Sequence, residues 1–403
     1  MSGGSTVIGS AAGAVGRAIL SGGTNNFLNT VTVGLTGEGA LTITGGTQLG
    51  TNVILNVANN VGSSGTMEIS GGTNLFKQMT FGVLGTALVK ITGGYTWATN
   101  RLVVGNSWGA TGRVELTGGI LAVSTIDGRD PTLPTNPGGI SKILFDGGTL
   151  QHAAYLSDFK DVMVAGFGEA CLTDRGAVFD TAGGIRTIFQ GLSNEVGYAG
   201  NLTKKGEGTL KLSMYNGFTG RVTVEQGDLS VVNSGAICLT GGTVIDPGAI
   251  LNLASAGAIL DSTTAPGTVS RIDGALTLKS GTVLTNGVGA VLGGNGVVTG
   301  SVVFASGSAY GRDKADPSGA LRVTGSTVFE TDVSVRLTGY TEQDLKAGVP
   351  LLTAGDSGTL AVSGAMPVTL DGASHVYWWA KVSADGKTLD ARWLPRGTLI
   401  LMQ

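Results

Sequence analysis

The chain has 403 residues, 70 of them Gly, with 41% hydrophobic and 13% charged side chains and a net charge of -3. Such a composition is too apolar for disorder and too glycine-rich for helices, while 9 Pro without a glycine at every third position exclude collagen. Both signs of charge are mixed along the chain, so no basic stripe awaits a nucleic acid, and no run of about 18 uncharged apolar residues exists to span a bilayer as a helix.

The opening stretch MSGGSTVIGSAAGAVGRAIL lacks the basic start and apolar centre of a signal peptide. A repeat then sets in. Gly-Gly pairs, each preceded by an apolar residue and a small polar one, begin at Gly22, Gly45, Gly71, Gly93, Gly118 and Gly147, at intervals of 22 to 29 residues. Before the pairs, apolar residues alternate as Leu41 and Ile43, Met67 and Ile69, Val89 and Ile91, Val114 and Leu116, Ile143 and Phe145, so each couple shares one strand face. A second marker, an apolar run meeting a glycine, ends at Gly34, Gly82 and Gly105.

Each unit thus holds at least two short strands and two tight corners, and a lone unit cannot bury its inward residues. The predicted fold is all-β, a parallel β-helix (solenoid) in which Gly45, Gly46, Gly71, Gly72, Gly93, Gly94, Gly118 and Gly119 are structural corners. In register, the outward Glu68, Lys90 and Glu115 form a ladder of alternating charge.

Tyr95 and Trp97 share a strand face and Trp108 follows shortly, which offers a ring platform for sugars. Against that, Trp97 aligns with Leu49 and Leu75 after their Gly pairs, which argues for a place in the core. DGRDPTLPTNPGG, residues 127–139, carries three Pro and is predicted to protrude as a loop. Its charged group, Asp127, Arg129 and Asp130, is the foremost candidate for ligand contact or catalysis.

Two further acidic groups, Asp158, Lys160 and Asp161, and Asp174, Arg175 and Asp180, read as turn formers or solvated charges. Cys171 and Cys238 both precede Leu-Thr and read as small buried hydrophobes, with a disulfide between distant turns as the alternative. Two Cys and 2 His, without CxxC spacing, supply no zinc site, and no metal or other cofactor is expected. His152 sits in a strand and His375 opens a hairpin, with no nucleophile elbow beside either.

Residues 201–231, NLTKKGEGTLKLSMYNGFTGRVTVEQGDLSV, resemble the autotransporter-associated β-strand repeat. The resemblance rests on Leu202, Thr203, Lys204, Gly206, Gly208, Thr209, Leu210 and Leu212, then Asn216, Phe218 in place of the family's Tyr, and Gly220, then Val224, Gly227 and Leu229. The flanks ILFDGGTLQ and LGGNGVVTGSVVFASGSA are similar to neighbouring passages in exported bacterial passenger proteins. The resemblance implies a right-handed parallel β-helix at the cell surface or beyond. Family members carry an export signal and often a membrane β-barrel; this sequence shows neither, so a trimmed piece of a longer protein is expected, with a surface protein anchored some other way as the alternative.

SGSAYGRDKADPSG, residues 306–319, is predicted as a second charged loop, which closes a β-helical domain of residues 1–320. Residues 321–403 are expected to hold the last coils and a cap. TEQDLKAG, residues 341–348, suits one helical turn capped by Thr341. HVYWWAKVSADGKTLDARWL shows two alternating runs around Asp385-Gly386, an antiparallel β-hairpin whose Tyr377, Trp378, Trp379 and Trp393 would cap the last coil.

The function expected is that of a non-enzymatic bacterial surface or secreted passenger, an adhesin, spacer or assembly scaffold. Its partners would be host or environmental glycans or surface proteins, together with self-association. The alternative is a polysaccharide lyase or hydrolase on the same scaffold, whose site would gather carboxylates and basic groups across adjacent coils.

Overall fold

The computed structural model describes residues 4–128, 139–152, 161–163, 167–316 and 319–394. The chain divides into two compact units, Met1–Phe218 and Thr219–Gln403.

In the first unit the coils are built from β1 (Thr6–Ile8), β2 (Val15–Leu20), β3 (Thr24–Asn26), β4 (Val31–Val33), β5 (Glu38–Ile43), β6 (Thr47–Val57), β7 (Ser64–Ile69), β8 (Thr73–Phe81), β9 (Thr86–Ile91), β10 (Tyr95–Val104) and β11 (Thr111–Leu116). One sheet stacks β2, β5, β7, β9 and β11 and continues through Ile140–Phe145, Glu169–Leu172 and Leu192–Asn194, every pairing parallel. The long strands β6, β8 and β10 stack beside it and each bends in mid-course, where their register slips between Gly50 and Ile54 and between Ala98 and Arg101. A coil is therefore three-sided, one side more than the two corners legible in the sequence require.

The corners follow from glycine chemistry. Gly46, Gly72, Gly94 and Gly119 take φ of 78, 78, 75 and 65°, the left-handed region. Their partners are barred from a side chain by packing instead. A Cβ at Gly45, Gly71, Gly93 or Gly118 would lie less than 3.0 Å from the carbonyl of Ser21, Thr44, Ser70 or Thr92 in the coil before. At Gly147-Gly148 the pattern shifts by one, with the first glycine at φ 96° and the Arg175 guanidinium lying over it.

Between corners the aliphatic columns line up. Ile43, Ile69, Ile91, Leu116, Phe145 and Leu172 are register partners from coil to coil, and all are fully buried. Each such side chain contributes about 1.5–3 kcal/mol of burial free energy.

Directly after the corners runs an inward polar column: Asn25, Gln48, Asn74 and Thr96. Asn25 Nδ2 donates to Gln48 Oε1 at 2.7 Å, Gln48 Nε2 to the Gly45 carbonyl at 3.0 Å, and Asn74 Nδ2 to Thr96 Oγ1 at 3.4 Å. The amide N–H groups are thus bonded to the next coil or to the corner backbone, while the buried Asn74 Oδ1 is left without a hydrogen-bond partner among the described residues.

The second unit continues in the same manner, with Val283–Asn286, Ser301–Phe304, Thr327–Phe329 and Leu360–Val362 stacked in parallel. The segment 306–319 departs from the loop expected of it: Ala309–Asp313 is a coil strand, paired on both sides, and carries Tyr310 into the core. Tyr310 Oη donates to the Leu351 carbonyl at 2.6 Å, so a polar tip that reads as surface is satisfied inside. The loop expected at 127–139 lies outside the described residues except at its two ends.

The chain then forms the short helix Glu342–Ala347 with Thr341 as its cap, and the antiparallel hairpin Ala373–Val382 and Thr388–Trp393. This hairpin covers Val349–Ala354 and Met366–Leu370, also by antiparallel pairing. Trp378 is buried, but much of the inner surface comes from Leu389 and Ala391, while Tyr377, Trp379 and Trp393 are half-buried.

Candidate functional site

Outward side chains are placed by the same register that stacks the core. Along one sheet of the first unit, Glu68, Lys90 and Glu115 fall on successive coils, as expected. Lys90 Nζ lies 3.4 Å from Glu115, which also takes the Arg113 guanidinium at 2.8 Å. Farther along, Lys142 Nζ reaches Glu169 at 3.2 Å and Glu195 at 2.8 Å. The hydrogen bond to Glu195 holds the Lys142 ammonium above its ordinary value. Burial pushes the Glu195 carboxyl up, but Lys142, together with Cys171 and Arg113, leaves it below the usual range.

Cys171 lies beside this group, its Sγ 3.6 Å from Ser193 Oγ, and burial pushes its thiol up, away from a reactive thiolate. Cys171 and Cys238 are both buried and free.

Tyr95 and Trp97 do share one face of β10, and that face is the outer one. Trp97 is the register partner of Leu75, which in turn pairs with Leu49, so the alignment holds. The column nevertheless points outward, because the buried neighbours are Thr96 and Ala98. The core reading of Trp97 is therefore corrected: it is half-buried against the coils on either side, where Leu75 and Ala122 flank it. Burial raises the Tyr95 phenol.

Trp108 is not on this strip. It is 78% exposed in the corner between β10 and β11, where it lines an open cleft of about 390 Å³ with Gly109, Ala110, Gly139 and Ile140. Asp127 ends the strand Ile126–Asp127 and is buried, its register partner being Val103. Arg129 and Asp130 lie outside the described residues. Of the described candidate residues, Tyr95 and Trp97 lie together on the outer face of β10, while Trp108 and Asp127 fall elsewhere on the coil.

Asp180 accepts from the Ala182 N–H two residues on, as a turn residue does, and from its register partner Gln151 in the neighbouring coil, while Asp174 accepts from the Ala199 N–H 25 residues away. His152 is buried in the interior, in register with Val123, while His375 is exposed with its ring 5.0 Å from Tyr377 and 5.3 Å from Trp378. Among the described residues, no group of three or more His, Cys, Asp or Glu is arranged to hold a metal ion.

One constellation escapes the sequence reading. Arg271 reaches Asp273 at 2.9 Å, Asp246 at 3.2 Å and Asp316 at 3.5 Å. Val244 and Ile245 pair with Arg271 and Ile272, so the turn residues that follow, Asp246 and Asp273, come one coil apart. The Asp273 side chain is only 1% exposed, and burial pushes its carboxyl up despite the Asn295 N–H and Arg271. The signal lay in the spacing: Asp246 and Arg271 stand 25 residues apart, one coil length.

No helix of the described residues is long and apolar enough to cross a membrane. No protein-family model, no curated protein and no solved structure matches the chain.

Proposed function

We propose that the chain is a non-enzymatic β-helical scaffold, a passenger-like element of the bacterial surface or secreted space. In that setting it acts as adhesin, spacer or assembly framework toward glycans or surface proteins. The observation that carries this reading is where the repeat motif sits. Leu202, Lys204, Leu210, Leu212, Asn216, Phe218, Val224 and Leu229, on which the resemblance rests, are all buried. Gly206, Gly208 and Gly227 hold φ of 74, 86 and 62°. A motif spent on core and corners specifies coil geometry rather than reaction chemistry, and the ion pairs of the outer ladder likewise tie coil to coil.

The reading is tested by incubating the chain with neutral and uronate polysaccharides while reducing ends and unsaturated sugars are followed, alongside a glycan array. Saturable glycan binding without product is expected. Product release would overturn the reading in favour of a polysaccharide-active enzyme, which one observation favours: Arg271 with three carboxylates drawn from separate coils. Loss of that product in Asp273→Asn would assign the chemistry to this group.

A further inference from the structure

In alternate coils of the first unit, the corner that leads into the sheet of β2, β5, β7, β9 and β11 is a four-residue turn closed by one hydrogen bond. Ala14 N–H donates to the Ala11 carbonyl at 3.0 Å, Ser63 N–H to that of Asn60 at 3.0 Å, and Ala110 N–H to that of Ser107 at 2.9 Å. The third residue of each turn is a glycine in the left-handed region, Gly13, Gly62 and Gly109, with φ of 73, 78 and 79°. The second residue is Ala12, Val61 or Trp108, and each is exposed. Coil geometry therefore asks nothing of the side chain there, since a methyl and an isopropyl group serve in the earlier turns. Trp108 alone sets a large ring in that place, whereas Trp97, Trp378, Trp379 and Trp393 are buried or half-buried.

The next coil brings Ile140 alongside as the register partner of Thr111. With Gly109, Ala110, Gly139 and Ile140, the indole bounds the open cleft of about 390 Å³, a volume within the range of about 300–1,000 Å³ typical of small-molecule sites. None of the five lining residues carries a charge. The N–H groups of Trp108 and Gly109 donate to no group among the described residues. An aromatic face, free donors and no charge match a sugar ring, whose C–H face is apolar and meets the negative face of an indole while its hydroxyls accept from N–H. They do not match a second protein. A stable interface buries about 800 Å² on each partner, and a tryptophan contributes only about 150–250 Å².

We infer that the cleft at Trp108 binds one neutral pyranose unit of a glycan, with the indole as its stacking face. The inference rests on the glycan-binding reading proposed above and gives that binding a place and a ligand class. Because no charged side chain lines the cleft, nothing in it selects a uronate or a sulfated sugar.

The probes are neutral oligosaccharides of glucose, galactose, mannose and N-acetylglucosamine, with polygalacturonate and heparin as acidic counterparts, each titrated onto the full chain by calorimetry. Saturable binding of a neutral probe is expected. Trp108→Val, which installs the side chain of the equivalent turn, is expected to keep the wild-type melting temperature and to weaken that probe by about tenfold or more. Trp108→Phe, which keeps a ring, is expected to bind within about threefold of the wild type. Equal binding by Trp108→Val would overturn the inference and leave the glycan-binding reading standing, whereas failure of the wild type to bind any probe would overturn both. Binding of the acidic probes alone would overturn the inference by placing the ligand at a charged group. A lowered melting temperature in Trp108→Val would overturn it by showing that the indole serves the fold, and so would dimers of the wild type that Trp108→Val dissociates, by making the occupant a second copy. Product release from any probe would overturn the non-enzymatic reading whichever way the variants behave.

Discussion

Lys204 shows how this interior keeps a charge. Its alternation places it inward between half-buried Thr203 and exposed Lys205, and it is fully buried as the register partner of Phe179. Its ammonium donates to the carbonyls of Lys205 at 2.9 Å and Gly206 at 2.6 Å, the backbone of the turn that follows. Replacing it by Met keeps most of the stem but strands those acceptors, so Lys204→Met is expected to cost about 1–3 kcal/mol in urea unfolding. The exposed neighbour change Lys205→Met should cost under about 0.5 kcal/mol; equal effects would show that the ammonium caps nothing. In the aliphatic column, Ile69→Ala removes a fully buried side chain between Ile43 and Ile91 and is expected to cost about 2–5 kcal/mol by the same measurement.

Among the elements, the helix Glu342–Ala347 is too short to persist by propensity and depends on its cap. Asp344 accepts from Lys314 Nζ at 2.9 Å and from the Thr341 backbone and hydroxyl, both at 2.7 Å, and these bonds hold its carboxyl down at about 2. A depressed carboxyl stabilises the fold above its unfolded value and loses that contribution as pH falls through the folded one. The helix should therefore survive at pH 4 and fray as the pH approaches 2, and in Lys314→Ala the Asp344 titration followed by NMR should move up toward the ordinary value of about 3.9. The cap and the hairpin were legible in the sequence because Thr341, Asp344 and Asp385-Gly386 act within a few residues of one another. The corners and aliphatic columns were legible because they recur. The side faced by Trp97 was not, since alignment shows which residues share a column while the two-residue alternation runs equally well for either face. What decides it is the second residue after the corner, and the buried Gln48, Asn74 and Thr96 are polar enough to look outward. The Arg271 group was hidden for the opposite reason: its members are joined by coil stacking alone, across 70 residues from Asp246 to Asp316.

For the molecule as a whole, the pairing pattern makes stability a matter of neighbours. Within the first sheet each strand bonds only to those one coil away, β7 to β5 and β9, and β11 to β9 and Ile140–Phe145. Interactions of this kind add along a stack instead of acting everywhere at once, so a lesion is felt near its own coil. Gly72→Val is the severest local lesion the corners offer, because it combines φ of 78° with a Cβ less than 3.0 Å from the Gly46 carbonyl. In native-state hydrogen exchange this variant is expected to speed the amides of Ser64–Ile69 and Thr73–Phe81 by about tenfold or more, with a smaller effect one coil away. The amides of the cap hairpin, Ala373–Val382 and Thr388–Trp393, are bonded to each other and to Val349–Ala354 and Met366–Leu370, and should exchange as in the wild type. Uniform acceleration across both segments would mean that the chain unfolds only as one body, and a coil-by-coil account of its stability would then fail.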